Sequence, residues 1–301
     1  RGNGNLSRER HCPSMERNIK NFPGDALFSL NGKGKNVRYA ASGGDVLRSV
    51  LITGATGGIG AELAHHYAAP GRTLVLWGRN ARRLAQLATE CCARGAIVHT
   101  RQIDLCDGAG ALAAFVEDDA AHTPDCVVLG AGLSDIQSLD EKTEDPQKVL
   151  QLGLVNYTTP AALATAAARS MIERQGGHIA LIGSVAGFYE MPFSAAYSSS
   201  KSGLAFFAKS AGLAWRQYGV QLTLIVPGFV DTPMSQRLEG PRPFLVPAKK
   251  AARVIARAIA QGRREYVFPW PFRVLRVVER LLPQKLREYI LLRLAVGQAE
   301  R

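Results

Sequence analysis

Cysteine is scarce: five in 301 residues, an odd number that includes the adjacent pair Cys91 and Cys92 and shows no CxxC spacing. That pattern argues against a disulfide framework or a thiolate zinc site, and reduced thiols in a cytoplasmic protein are expected. The six histidines form neither HxxxH nor HExxH, so no metal site is expected. No apolar run approaches the roughly 18 to 20 residues of a spanning helix, and the first thirty or so residues lack a signal-peptide core. A basic face on the central part is also missing. Residues 46–236 carry 14 basic and 16 acidic side chains, whereas residues 1–45 carry 8 and 4 and residues 237–301 carry 15 and 5. The net charge of +12 therefore sits at the two ends. With no recognition motif beside it, nucleic acid is not an expected partner.

What the chain does have is core. At 47% hydrophobic and 21% charged, it is expected to form one large domain with short additions. Residues 1–45, rich in Gly, Asn, Ser and Arg, are expected to lack fixed structure. Because the first methionine is Met15, that stretch reads as a leader or as residues upstream of the true start. From Val46, runs of strand length alternate with helical periodicity. The strands are expected over Val46–Ile52, Thr73–Trp77, Ala96–Gln102, Cys126–Gly130, His178–Ile182, Gln221–Val226 and Glu265–Phe268. Helices are expected over Gly60–Ala69, Ala81–Ala93, Gly108–Ala120, Pro146–Gln175, Tyr197–Tyr218 and Pro247–Gln261. Strict alternation implies parallel strands with right-handed crossovers, hence a doubly wound, Rossmann-like α/β sheet over residues 46–270. Residues 271–301 form a basic extension with amphipathic spacing, broken at Pro283 into two short helices.

Two constellations carry chemistry. The first expected strand runs into Thr53-Gly54-Ala55-Thr56-Gly57-Gly58-Ile59-Gly60 and then a helix. Such a turn lets backbone approach a pyrophosphate at a helix N-terminus. Downstream, Ser184 is followed thirteen residues later by Tyr197 and four residues after that by Lys201. Tyr and Lys at i and i+4 share a helix face, and an ammonium beside a phenol favours phenolate. Tyr197 is thus a candidate acid and base, with Ser184 holding the same oxygen.

Together these residues resemble the short-chain dehydrogenase/reductase family over about Val46 to Pro269. TGATGGIG looks like its cofactor turn, IDL with Asp104 like its adenine contact, and Leu129-Gly130-Ala131-Gly132 like its NNAG. Asn156 in VNYTTP, Ser184 in GSVAGF, YSSSK, and VPGFVDTPM follow in family order. The resemblance implies a catalytic set of Asn156, Ser184, Tyr197 and Lys201. Lys201 would lower the pKa of Tyr197 and bind ribose, and Asn156 would link Lys201 to solvent. The implied cofactor set is Gly54, Thr56, Gly58, Ile59, Gly60, Arg79, Asp104, Ala131, Gly132, Tyr197, Lys201, Pro227, Gly228 and Thr232. LGAG lacks the two asparagines of the family pattern, which puts local sheet packing in question. A cofactor-binding role without turnover is the alternative, and the intact Asn-Ser-Tyr-Lys set argues against it.

Gly78 stands where NAD enzymes usually carry an acid, and Arg79 follows, which favours NADP(H) over NAD(H). Arg82 and Arg83 read as a solvated helix face. Phe188, Tyr189, Met191, Phe193, Phe229, Met234, Leu238, Phe244 and Leu245 are expected to wall an apolar or lipid-like small-molecule carbonyl or alcohol substrate. The long helices imply a homo-oligomer packed through small residues such as Ala161, Ala162, Ala205 and Ala208. In the tail, Arg273, Arg276 and Arg280 recur on one side, with Leu275, Val278 and Leu282 on another. This arm is expected to lie peripherally on a membrane or to cover the substrate mouth, the alternative being an arm that packs its apolar stripe on its own domain or a partner subunit.

Overall fold

Short runs of branched and aliphatic residues place seven parallel strands side by side in the computed structural model, which describes residues 47–137, 141–293 and 297–298. The expected leader lies outside the described residues. The strands of the main sheet are β1 (Ser49–Thr53), β2 (Thr73–Gly78), β3 (Ile97–Gln102), β4 (Cys126–Leu129), β5 (Gly177–Ile182) and β6 (Val220–Pro227). Three two-residue strands follow, β7 (Val230–Asp231), β8 (Leu238–Glu239) and β9 (Val246–Pro247), then the seventh sheet strand β10 (Glu265–Phe268) and finally β11 (Gly297–Gln298). The order across the sheet is β10-β6-β5-β4-β1-β2-β3. Chain direction across the sheet reverses between β1 and β4, which opens a crevice at their carboxyl ends.

Alternation along each strand divides the core. Leu51, Trp77, Val127, Leu129 and Leu181 bury toward α3 (Gly108–His122), α5 (Thr159–Glu173) and α6 (Ala195–Arg216). Val50, Ile52, Leu76, Val128 and Ile182 bury toward α1 (Gly58–Tyr67), α2 (Ala81–Cys92) and α7 (Ala248–Ala260). A period of two with both faces apolar is what a sheet covered on both sides requires.

The helix expected over Pro146–Gln175 is instead two, α4 (Pro146–Gly153) and α5, joined by a π-turn at Leu154–Thr158. Pro160 has no N–H for the next helical bond, and the Thr159 N–H reaches back to the Leu154 carbonyl across the widened turn. Ala205 and Ala208 are buried in the core, so they cannot form the subunit contact expected of them. The outward side of that region carries Tyr157, Phe206 and Leu213. Beyond β10, α8 (Pro271–Leu281) and α9 (Gln284–Arg293) flank Pro283, and β11 pairs antiparallel with β8. No helix among the described residues is long and apolar enough to cross a membrane.

Candidate active site

The carboxyl ends of the central strands open into a cavity of about 830 Å³, lined by every residue of the cofactor set and by Ser184. Its floor is the turn after β1. Gly54 has φ +68°, and a Cβ there would lie 2.6 Å from the Ala131 Cα. Glycine is required on both counts, the left-handed backbone and the contact with the loop after β4. A Cβ on Gly58 would lie 2.5 Å from the Thr232 methyl, so the loop after β6 rests on the same turn.

Asn80, Asp107 and Asp145 each cap the helix they precede by accepting a backbone N–H. Helix α1 starts at Gly57 with no side-chain cap and no acid in its first turn. Its first amides therefore keep their hydrogen-bonding capacity and positive dipole end for an anion in the cavity.

The LGAG segment is braced despite its missing amides. The Thr53 Oγ1 accepts the Gly130 and Ala131 N–H groups at 3.2 and 3.3 Å. A Cβ on Gly130 would stand 3.2 Å from the Thr53 carbonyl, so a hydroxyl from β1 does the bracing and leaves little space for a side chain on β4.

Tyr197 enters from the first turn of α6, whose Ala196 N–H is capped by the Glu144 carboxylate at 3.0 Å. Glu144 drew no attention in the sequence because its partner lies 52 residues away. Ser184 follows β5, accepts the Ala186 N–H at 3.1 Å, and shares the cavity wall with Tyr197. Burial pushes the Tyr197 phenol above its ordinary pKa, and the neighbouring Ser184 side chain opposes that rise. Lys201 is buried, its Nζ donates to the Ile182 carbonyl at 3.0 Å, and burial brings its own pKa down to about 8.

Asn156 sits in the π-turn, fully buried behind the cavity wall. Its amide exchanges two 2.9 Å bonds with the Leu133 backbone and donates to the Ser200 Oγ at 3.2 Å. Asn156 thus clamps the loop after β4, and a Cβ on Gly132 would lie 3.2 Å from its Oδ1 and 3.3 Å from the Lys201 Nζ. Ser134 Oγ, on the cavity wall, makes no hydrogen bond to the described protein.

At the far end Arg79, Arg83 and Asp104 line the cavity, with Gly78 between β2 and the arginines. Arg83, exposed on the first turn of α2 as expected, also borders this mouth. The apolar wall contains Tyr189, Met191, Phe229, Met234 and Leu238. Phe188, Phe193, Phe244 and Leu245, expected beside them, do not line it. Phe272 of α8 does, packed against Gly228. Among the described residues no cluster of three or more His, Cys, Asp or Glu could hold a metal.

The short chain dehydrogenase family model matches residues 48–242. An uncharacterized oxidoreductase of Myxococcus xanthus is 32% identical over 240 residues, covering 79% of this chain and 94% of the relative. Another, from Mycobacterium tuberculosis, is 36% identical over 239 residues, covering 78% and 94%. Among solved structures, a short-chain dehydrogenase from Sphingobium yanoikuyae in complex with NADPH superimposes with a TM-score of 0.67 at 25% identity, covering 79% of this chain and 97% of that one. A metagenomic short-chain oxidoreductase in complex with NADP gives 0.62 at 30% identity, covering 73% and 96%. With the fold, the glycine turn and the Ser184–Tyr197 pair in place, these matches establish that the chain belongs to the short-chain dehydrogenase family and is one of its oxidoreductases.

Proposed function

We propose that the protein is an NADP(H)-dependent oxidoreductase that interconverts a carbonyl compound and its alcohol, with Tyr197 as acid and base. The observation that carries this reading is the presence of Ser184, Tyr197 and Lys201 together in the wall of the cavity that the glycine turn also lines. The uncapped start of α1 and the glycine positions, where a Cβ would collide, fit a dinucleotide's phosphates. When bound, the nicotinamide would supply the hydride acceptor or donor.

The chain's own residues do the rest. Ser184 and Tyr197 hold the substrate oxygen. Tyr197 gives its phenolic proton to that oxygen in reduction and takes one from the alcohol in oxidation. Lys201, with a pKa of about 8, carries its charge at neutral pH and can favour the phenolate that burial alone disfavours. Tyr189, Met191, Phe229 and Phe272 exclude water and suit an apolar substrate. Gly78 in place of an acid, with Arg79 and Arg83 at the mouth, suits a 2′-phosphate. The reading includes a cytoplasmic homo-oligomer assembled through the outward side of α6, where Phe206 is 75% exposed.

The test is Tyr197→Phe assayed by NADPH absorbance against a ketone panel. Turnover should fall by about 10² to 10⁴-fold, the contribution of a placed acid, with NADPH affinity retained. An unchanged rate would refute Tyr197 as the acid.

A further inference from the structure

The arm beyond β10, which lies outside the family match at residues 48–242, has its amphipathic sense reversed. Three of its arginines, Arg273, Arg276 and Arg287, turn to the body of the protein. Arg276 donates to Glu265 at 2.8 Å and lies 3.8 Å over the Phe188 ring. Arg273 donates to the Val267 carbonyl at 3.1 Å and lies 5.4 Å over Tyr266. Arg287 of α9 pairs with Glu190 at 3.1 Å. The basic stripe expected to meet a membrane is in large part used to hold the arm down.

The apolar stripe faces outward. Trp270, Val274, Val277 and Leu281, spaced by four, three and four, are 70%, 51%, 61% and 80% exposed. A surface helix ordinarily turns such a stripe inward, and a contiguous exposed one marks a contact. On the opposite side of the same helix Phe272 is buried as part of the cavity wall. Phe244, half exposed, meets Phe272 edge to face at 5.9 Å. One helix therefore presents one side to the substrate cavity and the other to the outside, with Phe244 joining the two.

Charge selects the occupant. Over the arm itself, residues 270–293, six Lys and Arg stand against two Glu. A second copy docked on this face about a two-fold axis would set like charges against each other. An anionic lipid surface gains from the same excess. We propose that the outward face of α8 seats the protein on an anionic bilayer with its apolar stripe at the acyl boundary, and that a lipid-dissolved alcohol or ketone enters past Phe244 and Phe272. The docking stands on the arm alone; the entry of substrate rests on the oxidoreductase reading of the cavity.

The experiment uses the full chain with vesicles of phosphatidylcholine alone or mixed with phosphatidylglycerol, at low salt. Sedimentation should favour the anionic vesicles by about tenfold. Brominated acyl chains should quench tryptophan emission, and Trp270→Phe should remove most of that quenching, since Trp77 is buried in the core and Trp215 of α6 packs against Phe207. The Val277→Asp/Leu281→Asp pair should lower vesicle binding by about tenfold or more, since charge is costly at that depth, without changing turnover of a short water-soluble ketone. A full chain that stays in solution with anionic vesicles overturns the proposal. So does a Val277→Asp/Leu281→Asp protein that binds as well as the parent, or one that dissociates an oligomer by light scattering while vesicle binding is unchanged. Vesicle binding with no turnover of any ketone would uphold the docking and overturn the substrate route.

Discussion

Lys201→Met should make the protein more stable at neutral pH while removing its activity. Lys201 is 5% exposed, and burial alone brings its pKa from 10.5 down to about 8. For a base whose folded pKa is depressed, the unfolded chain holds the proton that the fold gives up. Stability therefore rises as pH climbs from about 8 to 10.5 and is flat below about 8. At pH 7 the full shift applies, a cost of about 3 kcal/mol to the folded state. Methionine has similar length and no charge, so that cost disappears. Against it stands the Nζ bond to the Ile182 carbonyl at 3.0 Å, whose loss costs about 1 to 3 kcal/mol. The net gain at pH 7 is on the order of 1 kcal/mol. The pH dependence is the sharper observable, since the Ile182 contribution is common to all pH values. Urea unfolding of both proteins, at matched concentration, should show the variant's advantage shrinking by about 2 kcal/mol between pH 8 and 9.5. A difference independent of pH over that range would refute the assignment of a depressed pKa to Lys201.

Three further outcomes are expected. His178, buried and bonded to Thr223 at 2.8 Å, has its pKa pushed down to about 4 by burial. The unfolded chain takes up the proton first, so stability should drop by about 2 kcal/mol from pH 6.5 to 5, and His178→Gln should remove that part of the acid slope in urea melts. Arg79→Ala should weaken NADPH binding by about 1 to 3 kcal/mol and Arg83→Ala by less, with NADH little affected in either; equal losses for both cofactors by titration would separate Arg79 from the phosphate. Phe206→Glu should shift the mass by light scattering toward a smaller species, and an unchanged mass would place any subunit contact elsewhere than α6.

Local chemistry made much of this protein legible from its sequence. Strand-length runs of Val, Ile and Leu alternating with helical spacing imply a parallel sheet, because period and connection length are properties of consecutive residues. The glycine turn after β1 and Tyr197 with Lys201 one helical turn apart are legible for the same reason. Tertiary structure decided what depends on partners far along the chain. The π-turn at Asn156 follows from Pro160 together with a clamp on Leu133, 23 residues away. Thr53 braces LGAG from 77 residues upstream, and Glu144 caps α6 from a separate loop. The tail shows the division most clearly. Its periodicity foretold amphipathic helices, but periodicity carries no inside or outside. Glu265, Glu190 and the Phe188 ring drew Arg276 and Arg287 inward, and that pairing, absent from any local pattern, left the apolar stripe of α8 facing out.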